Sequence, residues 1–599
     1  MNKLLHILLL SSFIWTGLTT PQNNATLTYI HVLFEWEEVP NATGYELQLS
    51  GSENFNNPLV STIIMDLFYI EKEKINWESN YFWRLRAISE EWMGPNEFST
   101  GESSVTFQND DKPIEILNYN SQLASNGITV FGSYYNNYSA AIDMNGNEVW
   151  NSGGINSFVF FNVGENDNFL GGKFLPDLNS SLIGANFSIN DGIIWTEPID
   201  ESSLNGEAFI QHEIIILPNG NYMGFIPIVE NHPIPTSEDF PSVNNPFSWE
   251  EDYEDYINNG IGYDWKGEKI VEWDKDTGDI VWEWSAFDYF SLDDFDYLAG
   301  HWETAWNNNL PFDWIHFNAM VYNESEDALY VSSRHLDRIT KIDYSSKEII
   351  WNLGFQWLGD EVIMPDTLFS GQHGLQILPD GNIVTLDNGI LSQFTTVGLT
   401  APLSRAIELE IVFEENNTYS VNTVWSHTLP SDLYGALSGN VQKLDNGNYL
   451  VNTIGNESGA YSLEITVNHE TVWQCKYNLG NYNTGPLYRA IRLPSLYNID
   501  DNFLENSSLL SPQNFRIISS FPNPFNPLTH IKYELSHSAE IQFIIYNLKG
   551  EIIDVIDMGF QAPGNYISEW NGKKSPSGIY FIKFRNQSVK QSQKLILLK

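Results

Sequence analysis

A chain of 599 residues is about four domain lengths, so several domains are expected. Its 42% hydrophobic and 14% aromatic content argues against disorder, and 29 Lys+Arg against 77 Asp+Glu, a net charge of −48, argues against nucleic acid or anionic membrane as a partner, because phosphate binding needs clustered positive charge. The single cysteine, Cys475, excludes an intramolecular disulfide or a cysteine-based zinc cluster, and past the N-terminus no apolar run nears the roughly 18–20 residues of a bilayer span.

Met1 to Lys3 are basic, Leu4 to Leu10 and Phe13 to Leu18 apolar, and Thr19, Thr20 and Pro21 follow, the three-part layout of an export signal over residues 1–20. Over residues 24–108, Phe34 to Trp36, Tyr45 to Leu49 and Tyr81 to Ala87 alternate apolar and polar side chains with period two, which predicts short strands in a small β-sandwich. Trp36 to Tyr45 and Tyr81 to Ala87 resemble a fibronectin type III domain, and the resemblance implies a spacer or docking role.

Residues 112–497 repeat. A strand, a polar turn and a strand reaching Trp recur six times, at Ile142 to Trp150, Ser188 to Trp195, Trp273 to Trp282, Ile342 to Trp351, Tyr419 to Trp425 and Ile465 to Trp473. Six hairpins predict a six-bladed β-propeller, a fold that protects its sheet edges by radial closure. A second pair of strands alternates with these hairpins: Gln211 to Asn221 and Gln372 to Asn382 nearly superimpose, and His316 to Val321 and Ser438 to Leu444 occupy the same place. The first residues of innermost strands surround a propeller's axis, so His212, His316 and His373 are expected to converge there.

Arg334 is expected to lie on the strand that returns from the His316 strand and to face the same axis, whereas alternation along that strand sends His335 to the opposite face. A guanidinium among neutral imidazoles suits the oxygens of a sulfate or phosphate ester. One imidazole can attack sulfur or phosphorus while another protonates the leaving oxygen, with Arg334 and Asn318 stabilising the developing charge. Neither cofactor nor metal is required. Trp314 and Phe317 are candidates for stacking on substrate rings as well as for the core.

Gln211-His212, His316-Phe317-Asn318, Ser333-Arg334, Gln372-His373-Gly374 and Ser404-Arg405-Ala406, in this order across residues 112–497, resemble the nucleotide-independent bacterial aryl-sulfate sulfotransferases. The resemblance implies transfer of a sulfuryl group from a phenolic sulfate ester to a phenol, with His373 transiently sulfated. It further implies that His212, His316, Asn318 and Arg334 assist binding and proton transfer, and that Arg405 and Ser438 contribute to substrate binding. A homodimer is compatible with it. Two departures from that family are the missing disulfide and the N-terminal module.

The acidic segments Glu250 to Asp255 and Asp288 to Asp296 are expected to form solvated faces. Three other readings compete. Asp274 to Trp282 also resembles the docking repeat of quinoprotein dehydrogenases, three imidazoles could hold zinc were Arg334 not beside them, and a non-catalytic adhesin or glycan-binding propeller is the binding-class alternative.

After a linker at 498–514, residues 515–599 are predicted to be a second small β-sandwich. From Pro512 onward there are 10 Lys+Arg and 6 Asp+Glu, 10 − 6 = +4, so residues 1–511 carry −48 − 4 = −52. Pro522 to Pro527, Ile544 to Glu551, Trp570 to Gly572, Ser577 to Phe581 and the closing Lys594 to Lys599 resemble the type IX secretion C-terminal sorting domain, which implies passage to the cell surface or medium with that machinery as partner.

Overall fold

The computed structural model describes residues 17–599 except 41, 104–112, 135–136, 165–167, 176–180, 199–211, 234–261, 364–367, 397, 415–417, 456–458, 479–486, 498–514, 536–538, 548–551, 562–563 and 585–591. Gln211, the acidic segment 250–255, the linker 498–514 and residues 1–16 of the expected signal therefore lie outside the described residues. The chain is mostly β, with 54% strand and 5% helix. It divides into two compact units, Met1–Ile499 and Asp500–Lys599.

In the first unit, Leu18–Thr20, Val32–Trp36 and Phe68–Glu71 form one sheet. Ala25–Leu27, Met93–Thr100, Asn80–Ala87, Tyr45–Ser50 and Val60–Ile64 form another. The period-two alternation works as expected: Phe34, Leu47, Trp83, Leu85 and Phe98 are buried, with the Phe34 ring 5.1 Å from Trp83 and 6.0 Å from Phe98. Leu18 pairs with Trp36, so a folded strand begins within the last residues assigned to the signal. The module is docked rather than tethered: Ile30 N–H donates to the Val149 carbonyl, Asn151 N–H to the Thr28 carbonyl and the Trp77 indole to the Glu148 carbonyl.

Six antiparallel sheets follow among the described residues. The first orders as Glu148–Asn151, Tyr138–Ile142, Ile128–Ser133 and, innermost, the late strand Arg489–Leu493. The next five begin on inner strands Phe158–Val163, Ile214–Ile216, Phe317–Asn323, His373–Ile377 and Asn440–Lys443 and run outward in chain order. The sixth carries Ile114–Tyr119 on its outer edge. The inner strands touch in succession, Arg489–Leu493 meeting both Phe158–Val163 and Asn440–Lys443, so the last strand of this region closes the six sheets into a ring.

The recurring hairpin tryptophans fasten one sheet to the next. Trp150 packs on Phe169 with rings 4.7 Å apart, and Trp195 stacks on Tyr222 at 3.7 Å. The indole N–H of Trp282 donates to the Tyr344 carbonyl at 3.0 Å, that of Trp425 to Val467 at 3.2 Å, and that of Trp473 to Met144 at 3.0 Å, from the sixth sheet to the first. In the last three the indole is also satisfied, worth about 1 kcal/mol for the hydrogen bond beyond the area term, whereas the buried Trp150 indole N–H has no partner and that contact rests on ring packing. The closing contact joins residues more than 300 apart, which is why a hairpin motif reads so clearly in sequence while its partner does not.

In the second unit, Phe515–Phe521, Leu528–Leu535 and Gly564–Asn571 form one sheet, and Ile552–Gln561, Ala539–Asn547, Gly578–Phe584 and Ser592–Leu597 another. Ile531, Tyr533, Phe543, Ile545, Trp570, Ile582 and Leu595 are buried in its core. The proline-rich opening anchors the last strand: Ile596 N–H donates to Asn523 Oδ1 at 2.7 Å and Phe525 N–H to the Ile596 carbonyl.

Candidate active site

The inner strands deliver their leading side chains through an unusual backbone. His212, His316 and Ser438, each one or two residues before its inner strand, have φ of 72°, 56° and 54°, a left-handed conformation that costs a non-glycine residue of order 1–3 kcal/mol. In all three the carbonyl is captured. His316 accepts from Arg334 N–H at 3.0 Å, His212 from the Tyr488 hydroxyl at 2.8 Å and Ser438 from Asn388 Nδ2 at 3.1 Å. The strain is therefore held by specific partners, and it brings the His212 and His316 rings to 4.8 Å.

His373 is buried and accurately oriented. Its Nδ1 lies 2.8 Å from the Gly371 carbonyl and 2.8 Å from Asn388 Oδ1. Asn388 Nδ2 donates to the carbonyls of Gly435 (2.7 Å) and Ser438, which fixes its amide orientation. Two acceptors on Nδ1 require the proton there and leave the lone pair on Nε2. Burial pushes the His373 pKa well below the usual imidazole value and the nearby Arg334 charge adds to this, so the ring is neutral at physiological pH. Burial likewise lowers His212, followed by the charge of His316, and His212 Nδ1 is buried without a hydrogen-bond partner.

His316 Nδ1 lies 2.7 Å from Asp313 Oδ2. Burial alone would raise the Asp313 pKa, but the charge and hydrogen bond of His316 hold it well below the usual carboxylate range. Asp313 is itself placed by a short strand, Phe312–Asp313, parallel to Trp265–Lys266.

Arg334 Nη1 donates to His335 Nε2, and its Nε is buried without a partner. Here the structure corrects the expectations for both Arg334, expected on the returning strand, and His335. The strand ends at Ser333, residues 334–337 turn, and His335 N–H bonds to the Ile315 carbonyl, so alternation stops before it reaches this residue. His335 packs against His316 at 4.6 Å and His301 at 3.7 Å.

The other expected residues lie around this cluster. Asn318 is fully buried; its Nδ2 donates to the Gln372 carbonyl at 2.6 Å, tying the His316 and His373 strands together. Arg405 is held by Asp387 Oδ2 at 2.6 and 2.8 Å and by the Leu368 carbonyl, so its guanidinium is spent on structure. Ser438 reaches His373 through Asn388. Trp314 and Phe317 are 0% and 1% exposed and belong to the core, which corrects their candidacy as stacking residues. The segment Asp288 to Asp296 is only in part a solvated face: Asp288 and Asp293 are exposed, but Asp294 pairs with Arg338 at 2.7 Å with both side chains fully buried, and Asp296 is 2% exposed.

Sequence reading missed Asp313, His335, His301, Asp296 and Asn388. Asp313 stands three residues before His316, a legible spacing. Asn388 follows the strand returning from His373 as Arg334 follows the one returning from His316, so the repeat itself pointed to it. His301 and Asp296 come from an insertion and had no signal. Asp313, His316 and His335 each offer a ligand atom within 4.8 Å of one another, but the guanidinium bonded to His335 opposes a cation there.

Residues 247–485 match the family model described as Arylsulfotransferase (ASST). The matched span contains His316, Asn318, Arg334, His373, Arg405 and Ser438 and begins after His212, and the match supports aryl sulfotransferase activity and phenolic substrates in general. Residues 519–598 match the model described as Secretion system C-terminal sorting domain, which indicates export. No helix of the described residues is long and apolar enough to cross a membrane. No curated protein matches this sequence.

Among solved structures, PorZ of Porphyromonas gingivalis, described as a surface component of the type-IX secretion system, is 11% identical (96% of this chain, 75% of that chain, TM-score 0.25). A protein from Lactobacillus plantarum is 10% identical (75% and 100%, TM-score 0.31). A quinoprotein alcohol dehydrogenase-like protein from Bacteroides thetaiotaomicron is 10% identical (92% and 97%, TM-score 0.20).

Proposed function

We propose that the protein moves a sulfuryl group from a phenolic sulfate ester to a phenol through a sulfohistidine at His373, on the axis of a six-bladed β-propeller spanning 112–497. The observation that carries this reading is the hydrogen-bond polarity at His373: with Nδ1–H given to Gly371 and Asn388, the Nε2 lone pair of a neutral ring is the nucleophile. In the first half-reaction Nε2 forms a bond to sulfur as the S–O(aryl) bond breaks, and the leaving oxygen takes a proton from His316, whose imidazolium is stabilised by Asp313. In the second, the acceptor phenol returns its proton to His316, its oxygen bonds to sulfur, and the N–S bond breaks. Atoms and charge balance without any further reagent. Arg334 and His212 face the sulfuryl oxygens, and charge developing on them is stabilised by about 3–4 kcal/mol per well-placed donor.

In this reading residues 24–108 are a fibronectin type III-like module docked on the first blade, residues 515–599 are the export address, and residues 1–20 are the signal. The test is incubation with excess chromogenic aryl sulfate, with and without phenol, followed by peptide mass analysis. The expected result is acceptor-dependent chromophore release and an SO₃ adduct on the His373 peptide, both lost in His373→Ala; turnover retained in that variant refutes the assignment.

A further inference from the structure

Arg334 stands in a turn, beyond the strand that would have fixed it, and carries a guanidinium that this site offers to a sulfuryl group. A long side chain in that position samples many rotamers unless something holds it. His335 is built to do so. Its Nδ1 lies 2.6 Å from the Asp313 carbonyl, an obligate acceptor, so the ring proton sits on Nδ1 and Nε2 is left to accept from Arg334 Nη1. The ring cannot swing away: its side chain is 6% exposed, His301 stacks on it at 3.7 Å with planes 23° apart, and His316 lies at 4.6 Å. His301 in turn is carried by the helix His301–Asn308, whose Trp302 and Ala305 are buried in the core. Arg334 Nε remains buried without a partner, a donor reserved for something else.

We propose that His335 is a positioning residue that locks Arg334 by accepting its Nη1–H, with His301 as the plate behind the ring, so that the remaining guanidinium donors are presented to the sulfuryl oxygens. The proposal rests on the sulfotransferase reading for its substrate, but the lock itself is read by any sulfate-shaped anion.

The test measures affinity of the full chain for inorganic sulfate by calorimetry and KM and kcat for an aryl sulfate. His335→Leu should weaken sulfate binding and raise KM by about tenfold, the usual effect of losing a hydrogen bond to a charged group, with kcat changing less. His335→Gln, whose amide oxygen accepts from Arg334 and whose amide nitrogen donates to Asp313, should recover most of the loss. The double variant with Arg334→Leu should be no weaker than Arg334→Leu alone. Unchanged affinity in His335→Leu, a glutamine variant as weak as leucine, or additive losses would each overturn the proposal. Should His335→Leu fail to fold, His301→Ala removes the plate and should weaken sulfate binding severalfold, and no change would overturn the proposal equally. Wild-type protein that binds sulfate but turns over no aryl sulfate would refute the reaction and leave the lock to be decided by the sulfate affinities.

Discussion

Replacing Asp313 by Asn tests the proton-transfer half of the mechanism most sharply. The 2.7 Å contact between Asp313 Oδ2 and His316 Nδ1 is charge-assisted whenever His316 carries its second proton. Asparagine keeps the shape and still accepts from Nδ1–H but removes the negative charge. Two unit charges about 4 Å apart interact by roughly 4 kcal/mol at an effective dielectric of 20. The Asp313 side chain is 31% exposed, so solvent screening reduces this to about 1.5–3 kcal/mol, a loss of roughly 10- to 150-fold. The loss must depend on the leaving group. An unsubstituted phenol, with a pKa of about 10, departs only with a proton, whereas an electron-poor phenol departs as its anion. Burst rates across a series of aryl sulfates should therefore fall steeply with rising leaving-group pKa in Asp313→Asn and nearly coincide with wild type at the acidic end. An equal loss across the series, or none, would refute His316 as the acid.

Asn388→Leu removes one of two acceptors on His373 Nδ1 and leaves the buried carbonyls of Gly435 and Ser438 without their donor; we expect about 2–4 kcal/mol lower stability and a kcat reduced roughly 10- to 100-fold, read by denaturant unfolding and steady-state rates. Because burial keeps His373 neutral well below the ordinary value, its sulfation rate in single-turnover mixing with an electron-poor aryl sulfate, whose phenol departs without a proton, should stay within about twofold from pH 7.5 to 5.5. A roughly tenfold fall with a midpoint near 6.5 would show an ordinary imidazole instead. Trp473→Phe deletes the hydrogen bond to Met144 that joins the sixth sheet to the first; it should cost about 1–3 kcal/mol in chemical denaturation and leave KM unchanged.

The sheets were legible because their signal is local. The hairpin ending in Trp repeats within ten residues, and the Pro-Asn/Asp-Gly-Asn turn that follows the inner strands Ile214–Ile216 and His373–Ile377 fixes register there without reference to the rest of the chain. His212, His316 and His373 were legible for the same reason, since equivalent positions in a closed ring converge. Residues reached through irregular backbone were not. His335 was assigned to the wrong face because period-two alternation was extended past Ser333, where the strand had already turned. His301 and Asp296 were invisible because the insertion between Ser285 and Phe312 has no counterpart in the other repeats, and only tertiary packing of Trp302 and Phe295 places it. Arg405 was carried by a motif, yet its burial beside Asp387 gives it a structural partner that no pattern of one chain could announce.

On the proposed reading a chain of net charge −48 binds an anionic ester, which calls for carboxylates near the site to be neutralised or paired rather than merely screened. The insertion and the turn do this by different means. Asp296 is raised to about 6 by burial, partly opposed by backbone N–H bonds from Ala299 and Leu298, so it keeps most of its charge at pH 7 and loses it only on acidification. Asp337 is raised well above the usual carboxylate range, again by burial first and then by the charge of Asp296. Glu268, beneath the His316 strand, is raised to about 8 by burial and by Asp313. Of the carboxylates around Arg334, Asp313 is the one held firmly ionised, and its charge is directed at His316 across 2.7 Å. With Asp337 neutral, Arg334 is opposed at short range chiefly by Asp313, whose charge His316 shares, while the acidic remainder of the molecule, beyond a Debye length of about 8 Å at physiological salt, contributes little. The acidity of the chain and the anion chemistry of its centre are then independent properties, set by different residues at different depths.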